Sequence, residues 1–418
     1  MKNITARKLA QIEGDGLIVG IDPHKHEHAV VIMTRLNAIC AKFKINNSRE
    51  GFDHLVERVR MEVNKAGVRG AFFAVEAGGH YWRNLAYYFR EGGLDFRLIN
   101  PFTLKRQREG KDLNRRKSDY RDATVAAELL RNGDFTETHL PEGDYAELRA
   151  HHMCRQRLKQ QHTRTVNLVR GLLDGLFPEF CGVFKDPCGK TAAAVLSSYP
   201  TPEVIARLSV EQFIKGVRSK CPRGRLAIKK LRALHGAAST SIGVKAGAEG
   251  VAHELGVLVQ VEQSYAAQIE EVEKRLHELI ARFEEARYLL SVPGLTERTV
   301  SGLIANIGPI ENYANAKDLV KLAGVNPIQS ESAGKGQRYT PMSKKGRSDL
   351  RNCLWQAAMS LLRSNIKFRC WSKVMESRAA HANPLHRREV LGAAMNKLLR
   401  LYFALVSKGQ MYRLAEAA

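Results

Sequence analysis

The sequence predicts an α/β block followed by a longer all-α remainder. Three observations carry that reading. Between residues 17 and 99, apolar runs of strand length alternate with two amphipathic helical stretches. From about Glu142 onward the periodicity is helical and the charge strongly basic. Two of the early apolar runs also end on an acid, Asp22 and Glu76.

Leu17–Asp22, His28–Thr34 and Ala38–Ile45 read as three consecutive strands with polar breaks between them. Ser48–Ala66 has helical periodicity, with Phe52, Leu55, Val56 and Val59 on one side. Gly70–Glu76 is the next strand, His80–Glu91 a second helix and Asp95–Ile99 a fifth strand, closed by Asn100-Pro101. Strand, strand, strand, helix, strand, helix, strand is the order of a ribonuclease-H-like sheet. Asp122–Asn132 follows as a helix with Val125, Leu129 and Leu130 on its apolar side.

Arg155, Arg157, Lys159, Arg164 and Arg170 decorate one long predicted helix, Tyr145–Leu176. Residues from Cys181 to Glu249 are mixed in composition, with a basic cluster at Arg218–Arg232, and read as a helical insertion of unassigned role. In Val261–Phe283, Ile269, Val272, Leu276, Leu279 and Phe283 alternate steps of three and four, the pattern of a coiled-coil seam; a single helix packed in a local bundle fits the same pattern. A last block starts near Leu289. There Val292-Pro293-Gly294 makes either a helix-hairpin-helix turn, which holds a DNA phosphate on backbone amides, or an ordinary tight turn between helices. The expected division is 1–140, 141–288 and 289–418.

Sixty-six Lys and Arg against 43 Asp and Glu give a net charge of +23 over 418 residues. That excess predicts a polyanionic partner, and clustered charge favours nucleic acid over an anionic membrane. The sequence has no run of about 20 apolar residues and no signal-peptide pattern at Met1–Asp15, so a cytoplasmic location is expected. Seven cysteines without a Cys-x-x-Cys pair read as reduced thiols rather than a zinc site.

Acids held at strand ends in a cationic protein call for a reason. Asp22 and Glu76 end apolar runs, and Asp119 and Asp122 stand three apart before a helical stretch. Phosphodiester chemistry at a ribonuclease-H-like site uses two Mg²⁺ ions about 4 Å apart, held by few hard oxygen ligands. Four carboxylates from two strand ends and one helix start meet that demand, with Mg²⁺ expected and Mn²⁺ as an alternative. His24, His26 and His28 alternate after Asp22; they offer further metal ligands or, the reading favoured here, an exposed polar face of the second strand.

A second constellation runs from Ala323 to Arg338 and on through Met342–Gly346: a loop rich in glycine and serine within a basic frame. Lys335, Arg338, Lys344, Lys345 and Arg347 are expected to neutralise phosphate there, and Lys105, Arg106, Arg115, Arg116 and Lys117 form a second basic group. A serine in such a loop is a nucleophile only where its surroundings activate it; composition alone favours a phosphate-binding, noncatalytic loop.

These residues resemble one family. Gly20-Ile21-Asp22, Val75 to Tyr81, Ile99-Asn100-Pro101, Lys117 to Ala123, Val292-Pro293-Gly294 and Leu322 to Pro327 are similar, in order, to the DEDD transposases of the insertion-sequence one-hundred-ten family, which includes the pilin-gene DNA invertase. The similarity spans roughly Leu17–Phe180 and Arg287–Lys408. It implies a RuvC-like N-terminal domain whose Asp22, Glu76, Asp119 and Asp122 bind Mg²⁺, a helical and coiled-coil middle, and a mostly helical C-terminal transposase domain with a catalytic serine. The family's serine lies five residues after the proline of an Ala-Gly-x-x-Pro turn, which here is Ser332; Ser330 and Ser343 are the other serines in reach. The resemblance further implies homo-oligomers (dimer or tetramer) joined through the coiled coil, a composite site built from two subunits, donor and target DNA as substrates, and a guide or bridge noncoding RNA that supplies specificity by base pairing.

The expected activity is therefore that of an RNA-guided DNA transposase or recombinase. A site-specific invertase of the same family and a noncatalytic nucleic-acid-binding protein on a nuclease-like fold are the alternatives. Two departures stand out: Ala333 follows the serine where the family often has glycine, and the middle is longer than a minimal member requires.

Overall fold

A computed structural model describes residues 4–12, 14–111, 118–136, 140–221, 226–328, 331–332, 335–336, 341–377 and 385–413; for 331–332 and 335–336 it describes the backbone alone. The chain divides into two compact units, Met1–Leu140 and Pro141–Ala418.

The first unit runs α1 (Ile4–Ala10), β1 (Gly16–Pro23), β2 (Glu27–Met33), β3 (Ile39–Asn46), α2 (Arg49–Ala66), β4 (Gly70–Glu76), α3 (Trp82–Glu91), β5 (Phe96–Ile99), α4 (Pro101–Lys111) and α5 (Asp119–Arg131). Its five strands pair in the order β3-β2-β1-β4-β5. β1 is antiparallel to β2 and parallel to β4; β5 continues the parallel half. This is the ribonuclease-H-like order that the sequence predicts.

All eight residues of β1 are buried, because helices cover both faces of the sheet. Leu17, Val19 and Ile21 pack with Phe52, Leu55 and Phe89 of α2 and α3 on one face. Ile18 packs with Leu104, Val125, Ala126 and Leu129 of α4 and α5 on the other. Strand alternation therefore turns Gly20 and Asp22 toward α5. Ser48 caps α2 by accepting from the Gly51 N–H, and Gly67 ends it at φ 64°, a conformation that suits glycine.

Two differences from the sequence expectation bear on the site. The helix expected to begin at Asp122 begins at Asp119, since Ser118 accepts from the Arg121 N–H as its N-cap. Both acids thus lie in one first turn. Helix α4 was not expected: seven of its eleven residues are polar or charged and Leu104 is its buried apolar anchor, so it carries little apolar periodicity. The Asn100 carbonyl and side chain accept from Leu104 and Phe102 to start it, with Pro101 at its first position.

The second unit contains α6 (Gly143–Leu176), α7 (Phe180–Val183), α8 (Lys190–Ser198), α9 (Pro202–Ala206), α10 (Val210–Lys220), α11 (Ile228–Ala238), α12 (Ala248–Ile280), α13 (Glu284–Leu290), α14 (Glu297–Ile307), α15 (Ala316–Ala323), the two-residue strands β6 (Glu331–Ser332) and β7 (Lys335–Gly336), α16 (Ser348–Ser364), α17 (Ile366–Glu376) and α18 (Arg387–Lys408). The chain is thus α/β followed by a largely helical region.

α6 and α12 lie side by side and antiparallel: Asp144, Arg155 and His162 meet Arg282, Glu273 and Glu262, so numbers rise on one strand of the pair as they fall on the other. The seam predicted at 261–283 packs within this pair and the adjoining bundle; Ile269, Leu276 and Leu279 are buried, and Phe283 falls beyond the helix end. By length and composition α18 passes for a membrane span, yet half of it is buried, with Val390, Met395, Leu398 and Tyr402 in the core of this unit.

Candidate active site

Asp22 and Glu76 stand on adjacent parallel strands. Ile21 pairs with Val75, so the next residue on each strand is an acid, and the two end the strands level with one another. A side-chain hydrogen bond links Glu76 to Asp22. Asp119 and Asp122 join them from the first turn of α5, where the helix dipole favours negative charge.

What allows α5 so close is Gly20. A Cβ there would lie 1.9 Å from the Ala123 carbonyl oxygen and 2.9 Å from the Ala127 nitrogen. The Asp22 carboxyl, 7% exposed, is thereby sunk beneath the helix start. Its pKa is raised: burial contributes most, and the charges of Asp122 and Asp119 add to it, while His24 and the Glu76 hydrogen bond oppose the rise.

His24 is a member of the site that sequence reading did not select. Its Nε2 lies 3.1 Å from Asp22 Oδ2 and 3.4 Å from Asp119 Oδ1, and these three side chains have the mutual spacing of a cation site. The expected histidine face does not form. His24 and His26 precede β2, and His28 on β2 is fully buried against Phe52. Burial lowers the His28 pKa, and its Nδ1 accepts from the His24 N–H at 3.2 Å, holding the turn that brings His24 to the acids. The readable signal was position: a histidine two residues past a strand-end acid, in the turn rather than in the strand.

Arg108 on the unforeseen α4 is the second such member. Its Nη1 lies 2.6 Å from both carboxylate oxygens of Asp122, and both side chains are largely buried. Asp122 thus has a resident counter-cation, while His24 bridges Asp22 and Asp119 on the other side of the site. Two carboxylates and an imidazole, with Glu76 beside Asp22, suit a hard or borderline divalent ion; burial chiefly, and the charges of Asp122 and Asp119 in addition, raise the Asp22 pKa, and such an ion offsets both.

The loop after α15 is rooted as a hairpin. Ser343 N–H donates to the Asn326 carbonyl, Lys344 N–H to Gly324, Ile328 N–H to Pro341 and Arg347 N–H to Leu322. Ser343 Oγ is 2.6 Å from Asn326 Oδ1, so this serine closes the hairpin base. Further out, Ser332 pairs with Lys335 across β6 and β7. Ser330, Arg115, Arg116, Lys117 and Arg338 lie outside the described residues.

The expected nucleic-acid contacts divide. Lys105, Arg106, Lys344 and Lys345 are exposed; Arg106 sits over the Phe102 ring, and Lys105 lies 3.8 Å from Glu109. Arg347 instead turns inward. Its guanidinium donates to the Asn306 carbonyl at the end of α14, and burial lowers its pKa, so it fastens the loop. At Val292-Pro293-Gly294 the turn packs on α16 near Leu361, and Thr296 caps α14 in a reciprocal box with Thr299.

Two family models match the chain: a transposase model of the DEDD IS110 type over residues 19–178, and the transposase model of the IS116/IS110/IS902 family over residues 286–371. The chain belongs to the IS110 family of transposases. Among similar proteins, the mini-circle putative transposase for IS117 of Streptomyces coelicolor is 24% identical over 77% of this chain and 79% of its own. A probable family 20 transposase of Pseudomonas aeruginosa is 25% identical over 86% of this chain and 93% of its own. A solved structure, T. thermophilus RuvC in complex with a Holliday junction substrate, aligns over 29% of this chain and 98% of its own at 16% identity and TM-score 0.22. The first matched segment of this chain contains all four acids and His24, and the second contains the whole serine hairpin.

Proposed function

We propose that this transposase is an RNA-guided DNA recombinase that exchanges strands through a phosphoserine link, with Ser332 as nucleophile and the Asp22 cluster as a divalent-metal site. The observation that carries the reading is the convergence of Asp22, Glu76, Asp119 and Asp122 at two strand ends and one helix start.

In the proposed step the Ser332 hydroxyl gives up its proton and attacks a backbone phosphorus. A serine–phosphate bond forms as the bond from phosphorus to a deoxyribose oxygen breaks, and that oxygen leaves with a proton. Reversal of the step on a second strand end rejoins DNA, so phosphodiester bonds are conserved and no water is consumed. A divalent ion, when bound, supplies charge neutralisation and Lewis acidity at phosphate oxygens. Asp22, Glu76, Asp119 and His24 would hold it, and Asp122 would join once it exchanges Arg108 for the ion. Guide RNA and donor and target DNA are the partners that fit a charge of +23, and assembly into homo-oligomers belongs to the same reading.

The test is denaturing electrophoresis of the protein with labelled DNA. Wild type should give a covalent adduct, Ser332→Ala none, and Asp22→Asn should bind nucleic acid while forming neither adduct nor product. Adducts that persist in Ser332→Ala would remove the serine from this role. A single discrete RNA recovered with the purified protein is expected; its consistent absence would remove the RNA guide.

A further inference from the structure

Helices α6 and α12 carry two separate apolar cores along one antiparallel pair. At one end Leu148, Leu276 and Leu279 join the core of α14, α16 and α18. At the other, Val169, Leu173, Leu255 and Val259 join a second core with Phe180, Val195, Phe213 and Leu231 of α7 to α11. Between the two the pair is closed by polar contacts, Arg155 with Glu273 at 2.7 Å and His162 with Glu262 at 2.9 Å. Helices of 34 and 33 residues extend about 50 Å. The insertion is therefore a small helical cap with its own core, carried at the far end of a two-helix stalk.

The cap's charge is lopsided. From Gln212 to Gly247 the sequence contains nine Lys and Arg and not one Asp or Glu. α10 and α11 pack on each other through Phe213, Val217, Leu231 and Leu234, all fully buried. Lys215 and Lys220 on α10 and Lys229 and Arg232 on α11 are exposed. The acids that flank this stretch are Glu211 in the first turn of α10 and Glu249 in the first turn of α12; Glu203 lies on α9, and Glu179 already accepts from Ser241 and the Ile242 N–H. Cations gathered this densely repel one another, and a polyanion relieves that repulsion.

The choice of polyanion follows from the aromatics. Binding of single strands relies on exposed rings on which bases stack. Here Phe177, Phe180, Phe184 and Phe213 are buried, and Tyr199 is half-buried against Phe213. Among the described residues of the cap no Phe or Tyr ring is exposed, and charge on α10 and α11 without stacking surface fits a duplex backbone gripped irrespective of sequence.

We infer that the outer face of α10 and α11 binds the sugar–phosphate backbone of duplex DNA. The stalk would hold that duplex at a distance from the core that carries the serine hairpin. This binding role does not depend on the serine or metal chemistry proposed above, and adduct formation is not read in its test, so the two readings fail separately.

The test is fluorescence anisotropy of the full chain with duplex DNA of arbitrary sequence over a range of salt. Changing Lys215, Lys220, Lys229 and Arg232 together to Gln should make the slope of log K against log salt shallower by about 3 to 4, close to one per phosphate released. The α10 pair and the α11 pair changed separately should each give about half of that. All four side chains are exposed, so Tm should hold, and the pairs keep the test valid if the quadruple variant fails to fold. An unchanged slope overturns the proposal. So does a change seen with a single strand or with duplex RNA and not with duplex DNA, which would give the face to RNA.

Discussion

Gly20 of β1 lies so close under Ala123 of α5 that a Cβ on it would sit 1.9 Å from the Ala123 carbonyl oxygen. The groups this contact serves stand close by: Asp22 two residues on from Gly20 near the end of β1, and Asp122 and Asp119 just before Ala123 in the first turn of α5. The glycine is thus a spacing device, and its absent side chain sets the distance between the acids.

Gly20→Ala should therefore be severe for a one-carbon change. Neither backbone can yield without moving the helix off the sheet, so a loss of about 3 kcal/mol is expected. Urea unfolding monitored on the first unit checks it, and DNA cleavage should fall further than stability alone accounts for, because α5 carries two of the acids. An unchanged urea midpoint would show that the strand and helix are not so tightly apposed.

Divalent ions should stabilise the protein through the Asp22 cluster. Ligand at a hundred times Kd adds about 2.7 kcal/mol to folding, read as a rise in Tm. Because His24 brings a nitrogen donor beside two carboxylates, Mn²⁺ should bind more tightly than Mg²⁺. His24→Ala should weaken Mn²⁺ binding by about tenfold and narrow the preference. Calorimetric titration of both ions into wild type and variant decides this. Equal Mn²⁺ affinity in the two proteins would make His24 a bystander.

How far the sequence led depends on what each element asks of it. β1 and β4 were legible because apolar runs that end in an acid have few other readings, and the pairing of Ile21 with Val75 follows once the strand order is known. α4 was not legible, since a helix anchored by Leu104 and otherwise polar leaves no stripe, and Arg108 went unseen with it. The histidine face does not form as expected because alternation along the chain says nothing about where a turn ends and a strand begins. The α6–α12 pair was half visible: Leu255, Val259, Ile269 and Leu276 keep the heptad steps, but Glu262 and Glu273 occupy seam positions and hide them until their partners on α6 are known.

The serine hairpin should depend on its base. A Cβ at Gly346 would lie 2.5 Å from the Gly324 nitrogen and from the Leu322 carbonyl oxygen. Gly346→Ala should pry the two ends apart and lower adduct formation by about tenfold or more, as a misplaced nucleophile does. Ser343→Ala removes one hydrogen bond to Asn326, worth about 1 kcal/mol, and should leave adducts at near wild-type level. Denaturing gels of both variants beside Ser332→Ala make the comparison. Loss of adducts in Ser343→Ala with retention in Ser332→Ala would exchange the roles of the two serines.

The helical core should respond to acid through His152. This side chain is 2% exposed, its Nε2 lies 3.6 Å from Cys353 Sγ, and both press on Gly302, where a Cβ would come within 2.8 Å of either. Burial, with Arg155 and Arg149 adding to it and Asp349 opposing, lowers the His152 pKa to about 4; burial also pushes the Cys353 thiol up to about 12, so the pair is neutral at physiological pH. The unfolded chain takes up the His152 proton near pH 6.5, the folded chain only near 4. Stability from this site is thus complete above pH 6.5 and is lost as pH falls toward 4, by on the order of 3 kcal/mol. Thermal unfolding across that window should show wild type losing stability faster than His152→Gln, which is less stable at pH 7 but carries no proton to bury. Gly302→Ala supplies the packing half of the argument. It should destabilise by about 1 to 3 kcal/mol at every pH, although alanine is the better helix former, because the space it needs is already filled by His152 and Cys353.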